Sequence, residues 1–109
     1  MTYSIIAVPK FSKELKRLVK KYPSLKTEFA KLAAKLTENP MQGVPLGKNC
    51  YKIRISIQSK GGGKRDGARI ITHFALVDST LYLLAIYDKS EVSNLSDKQV
   101  KELLDNIPD

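Results

Sequence analysis

The chain has 109 residues, of which 42% are hydrophobic and 28% charged, so the sequence predicts one globular domain over residues 1–109. Nineteen Lys and Arg against eleven Asp and Glu give a net charge of +8 and a pI near 9.6, which favours an anionic partner such as nucleic acid. One cysteine excludes an internal disulfide, and one cysteine with one histidine cannot form a Cys/His zinc site.

The first third of the chain predicts a strand and two helices. Residues 3–9 are rich in β-branched side chains and end at Pro9, as in a short strand. Apolar residues then recur with a 3.6-residue period in two segments, which predicts a helical hairpin interrupted at Pro23. Ser24 is placed to cap the second helix, which ends before Pro40. The two apolar stripes consist of Phe11, Leu15, Leu18, Val19 and Tyr22, and of Leu25, Phe29, Leu32, Ala33 and Leu36.

The middle of the chain predicts a loop, a strand and a basic loop. Residues 40–50 are rich in Pro and Gly, which is typical of a loop. The alternation in Tyr51–Gln58 predicts a half-buried strand whose isoleucines face the core. Its other face carries Lys52, Arg54, Ser56 and Gln58. Residues 59–67 predict a flexible loop in which three consecutive glycines lie among the cations Lys60, Lys64 and Arg65.

The last third of the chain predicts two strands and a helix. Residues 68–76 and 81–87 are strands joined by a hairpin turn, and residues 88–95 form a polar loop. Ser96 and Gln99 have the spacing of a capping box that opens a final helix. We therefore expect an α+β fold with an N-terminal strand, an αα-hairpin, a three-stranded antiparallel meander and a C-terminal helix, the helices lying on one face of the sheet.

Several enzyme classes lack the residues that they need. The glycines before Lys64 have neither the spacing nor the following hydroxyl residue of a phosphate-binding P-loop. No serine elbow or Cys/His pair is evident, and acidic residues such as Asp88 and Glu91 are too sparse to favour two-metal nuclease chemistry. We expect no metal site and no cofactor. Without an apolar run of roughly 20 residues or a signal peptide, the expected location is the cytoplasm, with no membrane partner.

Four cations are candidates for an anion-binding site. Lys52 and Arg54 project from one face of a predicted strand. Arg69 opens the next strand, and Lys89 follows the last one. We expect these positions to converge at one end of an antiparallel sheet, where such a cluster would be repulsive unless it bound an anion. Phosphate is the obvious anion, because Arg binds it with two parallel hydrogen bonds.

Other residues are further candidates for RNA binding. His73 lies on the same side of its strand as Arg69, as a possible acid, base or stacking residue, although a lone strand histidine is more often structural. Tyr87 is a second stacking candidate, although strand aromatics more often pack. Cations of the basic loop and of the first helix are candidate phosphate or ribosome contacts. They are Lys60, Lys64 and Arg65, and Lys13, Lys16, Arg17 and Lys20.

The order of these segments resembles the RelE/ParE superfamily of type II toxins. The helical hairpin (residues 11–23), its connection to the sheet (residues 36–46) and Tyr51–Arg54 match that order. The segments Gly67–Ile71 and Tyr82–Glu91 complete it, and the basic glycine loop is similar to that of the HigB-like branch. The resemblance covers nearly the whole chain and depends on the ordered set rather than on any single motif.

This resemblance implies a toxin that cuts mRNA in the ribosomal A site without a metal ion and is neutralised by a cognate antitoxin protein. The implied catalytic residues are Lys52, Arg54, Arg69 and Lys89. Some ribosome-dependent members of the superfamily orient the base with a tyrosine near the C-terminus. Residues 92–109 contain no aromatic residue, so the resemblance leaves Tyr87 or His73 for that task.

Alternatives from other functional classes remain open at this stage. The ParE branch of the same superfamily poisons gyrase, and its members tend to lack the full cationic set. A non-catalytic RNA- or ribosome-binding module would share the high pI and the basic loop, and would bind with a steep dependence on salt. A protein-interaction domain with an acidic partner is a third possibility.

Overall fold

The chain folds into a five-stranded sheet with three α-helices, as far as the computed structural model describes it, over residues 3–61, 66–92 and 94–108. In chain order the elements are β1 (Ser4–Ala7), α1 (Pro9–Lys21), α2 (Leu25–Glu38), β2 (Val44–Gly47), β3 (Cys50–Ile55), a 3₁₀ turn (Gln58–Lys60), β4 (Ala68–Ala75), β5 (Thr80–Asp88) and α3 (Asp97–Leu104). None of the described helices is long and apolar enough to cross a membrane. The predicted α+β class is confirmed.

The strand order of the sheet is β1-β5-β4-β3-β2. Strands β3, β4 and β5 form the predicted antiparallel meander. Strand β1 lies outside it, parallel to β5, with Ser4 opposite Thr80. Parallel neighbouring strands need a long crossover connection. Here the helical hairpin and strands β2 to β4 lie between β1 and β5 in the chain.

Strand β2 contradicts the prediction of a loop over residues 40–50. Val44 lies opposite Lys52, and the β2–β3 pairing contains a register shift between Pro45 and Gly47. Pro and Gly are tolerated here because β2 is an edge strand with an irregular register. The turn that joins β2 to β3 has two residues with positive φ, Lys48 and Asn49. Consecutive positive φ values are typical of a tight hairpin turn. Asn tolerates positive φ well, so Asn49 is the residue from which this turn could have been predicted.

Strand β3 ends at Ile55, three residues before the predicted end at Gln58. The following 3₁₀ turn is held by side chains at the start of α2, since the Gln58 N–H donates to Glu28 Oε2 at 2.8 Å and the Ser59 N–H donates to Ser24 Oγ at 2.9 Å. Ser24 stands at the N-cap position of α2, but its side chain makes no capping hydrogen bond. Its predicted capping role is therefore wrong, because its hydroxyl accepts a hydrogen bond from the Ser59 N–H of the 3₁₀ turn instead of from α2.

The core lies on both faces of the sheet. The apolar stripes of α1 and α2 contribute fully buried residues such as Phe11 and Leu36 on one face, together with Ile53 and Ile55 of β3. The capping box of α3 is confirmed, and this helix packs on β5 with Val100 and Leu103 buried. It lines grooves that include Tyr87 of β5 and, near β2, residues 46–48, so it crosses the face opposite the helical hairpin.

The expectation that all helices lie on one face of the sheet is therefore wrong. Every residue of β5 is buried, and most of them are apolar. A strand that is apolar on both faces has to be covered on both, which places α3 opposite the helical hairpin.

Candidate anion-binding site

The register of the meander places the predicted cations in adjacent rows. Arg54 lies directly opposite Arg69, which in turn lies opposite Tyr87. Lys52 occupies the next row on the same face, opposite Ile71. Guanidinium groups are the planar donors that bind anions such as phosphate most readily, and this row contains two of them. We call this side of the sheet the cationic face.

The two arginines of the row differ in burial. Arg69 is only 4% exposed, and its Nη1 donates a hydrogen bond to the Ala68 carbonyl at 3.1 Å. Arg54 is exposed to solvent. Tyr87 is 7% exposed, and burial raises the pKa of its hydroxyl, although the charge of Arg69 opposes the shift. The row therefore combines one positioned guanidinium, one solvent-facing guanidinium and a neutral phenol.

Lys89 lies immediately beyond β5, across from the start of β4. Its N–H donates to the Gly67 carbonyl at 3.0 Å, which extends the β4–β5 pairing by one step. Lys89 is the first residue of the turn that follows β5, and Asp88 before it faces the side of the sheet opposite Tyr87. The structure thus places Lys52, Arg54 and Arg69 on one face of the meander and the backbone of Lys89 at its end, and we call these four residues the cationic cluster.

Asp88 is a buried carboxylate behind the cationic cluster. Its side chain is 0% exposed and accepts hydrogen bonds from the Tyr22 hydroxyl at 2.8 Å, from the Ser90 N–H at 2.9 Å and from the Ser90 hydroxyl at 2.7 Å. It also forms an ion pair with Lys60. Burial alone would raise the pKa of the Asp88 carboxyl, but these donors lower it well below its usual range. Asp88 is therefore ionised at neutral pH.

Comparison with known proteins identifies the fold. No protein-family model matches the sequence. Among solved structures, a doubly substituted Escherichia coli toxin RelE in the free state matches with a TM-score of 0.66 and 15% identity, over 99% of this chain and 100% of that one. The chain has the fold of a RelE-like toxin. The predicted resemblance is thereby confirmed at the level of the fold.

Two further structures support the same fold. The E. coli RelBE toxin–antitoxin complex matches with a TM-score of 0.60 and 16% identity, over 79% of this chain and 95% of that one. A metal-bound toxin from Helicobacter pylori matches with a TM-score of 0.50 and 22% identity, over 84% of this chain and 99% of that one. In this RelE-like fold, the meander that carries the cationic cluster forms the centre of the sheet.

Among the residues that the structure describes, the predicted RNA-binding cations lie at several separate places in the RelE-like fold. Lys60 directs its ammonium to Asp88 on the side of the helical hairpin. Arg17 donates to Glu91 at 2.7 Å and to Glu14 at 3.1 Å, so its charge is largely matched. Lys16 and Lys20 line a groove between α1 and α2, whereas Lys13 lines another between α1 and α3. Lys64 and Arg65 lie outside the described residues.

His73 lies on the cationic face, one row beyond Lys52 and two rows from the two arginines. It pairs across the sheet with Cys50 on β3 and Tyr82 on β5, and its Nδ1 is 3.7 Å from the Cys50 sulfur. Four residues along the strand separate it from Arg69, which corresponds to about 13 Å. Burial raises the pKa of the Cys50 thiol, which disfavours a reactive thiolate. Among the described residues, no three or more metal-binding side chains converge.

Asp88 is the residue of this region that the sequence reading missed, because it was assigned to a polar loop. The structure makes it the last residue of β5. The available signal was a single acid at the end of an apolar strand, between Tyr87 and Lys89. A buried acid requires donors from elsewhere in the chain, and those donors were not visible in the local pattern.

Asp88 is expected to make the stability of the protein depend on pH. Its ordinary pKa of 3.8 is lowered in the folded state, so the unfolded chain binds the proton more tightly. The stabilisation is complete above the unfolded pKa and is lost as the pH falls through the folded pKa. Between about pH 5 and pH 3, the unmodified protein should therefore lose about 1 kcal/mol more of its free energy of unfolding than the Asp88→Asn variant. Urea denaturation at each pH measures this difference, and equal losses in the two proteins would contradict it.

Proposed function

We propose that this chain is the toxin of a type II toxin–antitoxin system and inhibits translation by cleaving mRNA on the ribosome. The observation that carries the proposal is the cationic cluster, in which Arg54 and Arg69 are direct neighbours across two strands. The RelE-like fold supports it, since the solved structures with this fold include toxins and a toxin–antitoxin complex.

The proposed reaction uses the RNA itself as the nucleophile. The 2′-OH attacks the adjacent phosphorus in line, the bond to the 5′ oxygen breaks, and the products are a 2′,3′-cyclic phosphate and a 5′-OH. Arg54 and Arg69 stabilise the additional negative charge on the phosphoryl oxygens in the transition state. Preorganised cations of this kind are most effective when they are held by the fold, as Arg69 is by its burial.

The proton of the 2′-OH needs an acceptor, and the 5′ oxygen needs a donor. Lys52 and Lys89 are the candidate acid–base residues, because both lie in the cationic cluster. A lysine amine can accept a proton and a lysine ammonium can donate one, so the two residues could serve both steps. The proposed chemistry uses only these side chains and needs no metal ion or cofactor.

The proposed partners are the ribosome with its mRNA and a cognate antitoxin protein. E. coli RelE matches this chain in fold, and that toxin is also known in a complex with an antitoxin. The net charge of +8 suits both anionic RNA and an acidic segment of an antitoxin. We propose that the antitoxin covers the part of the cationic face that α3 leaves exposed, around Arg54, with an acidic or apolar helix or strand.

Primer extension on a reporter mRNA tests the proposed function. Purified protein is added to a purified translation system, and a matched reaction omits ribosomes. We expect new 5′ ends at in-frame positions only when ribosomes are present. Intact mRNA in both reactions would overturn the proposal, and supercoiling by gyrase and salt-dependent RNA binding would then be measured instead. Cleavage in both reactions would show a nuclease that does not require the ribosome.

A further inference from the structure

We propose that Asp88 is a positioning residue that fixes Lys89 within the cationic cluster. The inference rests on the proposed function, because it assigns Asp88 a part in RNA cleavage. Asp88 touches no substrate in this scheme, since its carboxylate lies on the opposite side of the sheet from the cationic face. It acts through the backbone of its neighbours.

The carboxylate of Asp88 closes the turn that contains Lys89. Its Oδ1 accepts hydrogen bonds from both the N–H and the hydroxyl of Ser90, two residues further along the chain. The Asp88 carbonyl accepts from the N–H groups of Glu91 and Val92, at 2.9 Å and 3.0 Å. Lys89 is therefore the central residue of a turn that is fixed on both sides, and its own N–H is bound to the Gly67 carbonyl.

The same carboxylate is held from behind by two other elements. The Tyr22 hydroxyl, at the C-terminal end of α1, donates to Oδ2. Lys60, at the end of the 3₁₀ turn, forms an ion pair with Oδ1 and also donates to the Ser90 hydroxyl at 3.1 Å. Since the 3₁₀ turn is itself bound to Ser24 and Glu28, Asp88 is attached to both helices of the hairpin.

These hydrogen bonds connect the buried carboxylate of Asp88 to the backbone around Lys89, a candidate catalytic residue with a flexible side chain. A lysine side chain has four rotatable bonds, so its ammonium is positioned only if its backbone is fixed first. Asp88 provides that constraint next to Lys89, and its cross-strand partner Ala68 directly precedes Arg69. Catalytic groups need to be held within a fraction of an ångström of their productive positions. The loss of the Asp88 carboxylate should therefore slow the chemical step more than it weakens ribosome binding.

Single-turnover cleavage on programmed ribosomes tests this role. We compare the unmodified protein with Asp88→Asn, which retains one oxygen acceptor, and with Asp88→Ala, which removes all of them. At saturating ribosomes the rate constant should fall about tenfold for Asp88→Asn and about 100-fold for Asp88→Ala, as for a misplacement of roughly 1 Å. The ribosome concentration that gives half-maximal rate should remain within about twofold. A purely structural role would lower the folded fraction but would leave the rate constant of the bound, folded toxin unchanged.

A double variant separates the role of Asp88 from that of Lys60. If Lys60 acts only through Asp88, then Lys60→Met combined with Asp88→Asn should be no slower than Asp88→Asn alone. Additive losses would mean that Lys60 contributes independently of Asp88, which would overturn the inference that the Asp88 carboxylate alone fixes this region. Asp78→Asn, the same chemical change at the exposed turn between β4 and β5, is the matched control and should leave the rate unchanged.

Hydrogen exchange tests the positioning directly and needs no RNA. In Asp88→Ala, the amides of Lys89 and Ser90 should exchange about tenfold faster or more, relative to the amide of Leu84 within β5. Unchanged protection at Lys89 would overturn the inference, even if the variant were inactive. Failure of the unmodified protein to cut mRNA would overturn the proposed function, and the exchange measurement would still decide whether Asp88 fixes Lys89.

Discussion

Arg69→Ala should lower the rate constant of mRNA cleavage by about 100-fold to 1,000-fold, as expected for the loss of one preorganised group that stabilises transition-state charge. Arg69 is the buried member of the cationic cluster, lies directly opposite Arg54, and neighbours Tyr87 on the other side. Its truncation removes a charge from a position that the fold has already fixed. Arg69→Lys should have an intermediate rate, because it keeps the charge but loses the planar fork that binds phosphate.

The measurement for Arg69 combines single-turnover cleavage with thermal denaturation. The variant should still unfold cooperatively, because the fully buried apolar residues of the same strand, Ile70 and Ile71, are unchanged. Lys35→Ala, an exposed cation on α2, is the matched control for the loss of one positive charge and should cleave at the normal rate. An Arg69→Ala protein that cuts mRNA at the normal rate would remove Arg69 from the proposed active site.

Gly67→Ala should destabilise the protein by about 3 kcal/mol, at the upper end of the usual cost of overpacking. A Cβ atom at Gly67 would lie 2.1 Å from the Ile55 carbonyl oxygen and 3.0 Å from the Cα of Ser56. Both are backbone atoms of the neighbouring strand or its end, so they cannot move away as a flexible side chain can. The ends of β3 and β4 would have to separate, which would also disturb Arg69, two residues further along β4.

Urea denaturation of Gly67→Ala measures the loss of stability. We expect a lower midpoint, together with a loss of cleavage that exceeds the unfolded fraction, because the carbonyl that accepts the Lys89 N–H belongs to the substituted residue. Asp66→Ala alters the exposed neighbouring position and should leave the midpoint close to normal. A Gly67→Ala protein with an unchanged midpoint would show that the two strands have room for a methyl group.

Much of the fold follows from periodic patterns in the sequence. Apolar spacing predicts both helices of the hairpin, alternation predicts the meander, and Ser96 with Gln99 predicts the start of α3. The cationic cluster was also predicted, because alternation assigns Lys52 and Arg54 to one face of one strand. The structure adds the register, which places Arg69 directly opposite Arg54 and brings Lys89 to the same end of the sheet. The catalytic role of these residues remains a prediction.

Features that depend on distant partners were not predictable in this way. Residues 44–47 were predicted to lie in a loop, but they form the edge strand β2 through an irregular pairing with β3. Ser24 was expected to cap α2, but its hydroxyl binds Ser59, a partner 35 residues away. Lys60 was expected to contact phosphate, and the structure pairs it with Asp88, 28 residues away.

The sequence by itself determined the α+β class, the positions of the helices and central strands, and the cations from which the cationic cluster is built. Those properties depend on local periodicity and composition, which short segments of the sequence show directly. Only the tertiary structure decided that Asp88 is buried, that Lys60 neutralises it, and that α3 covers the face of the sheet opposite the hairpin. The physical reason is that a buried charge or an apolar face is stable only with a partner, and the partner is chosen by packing between segments far apart in the chain.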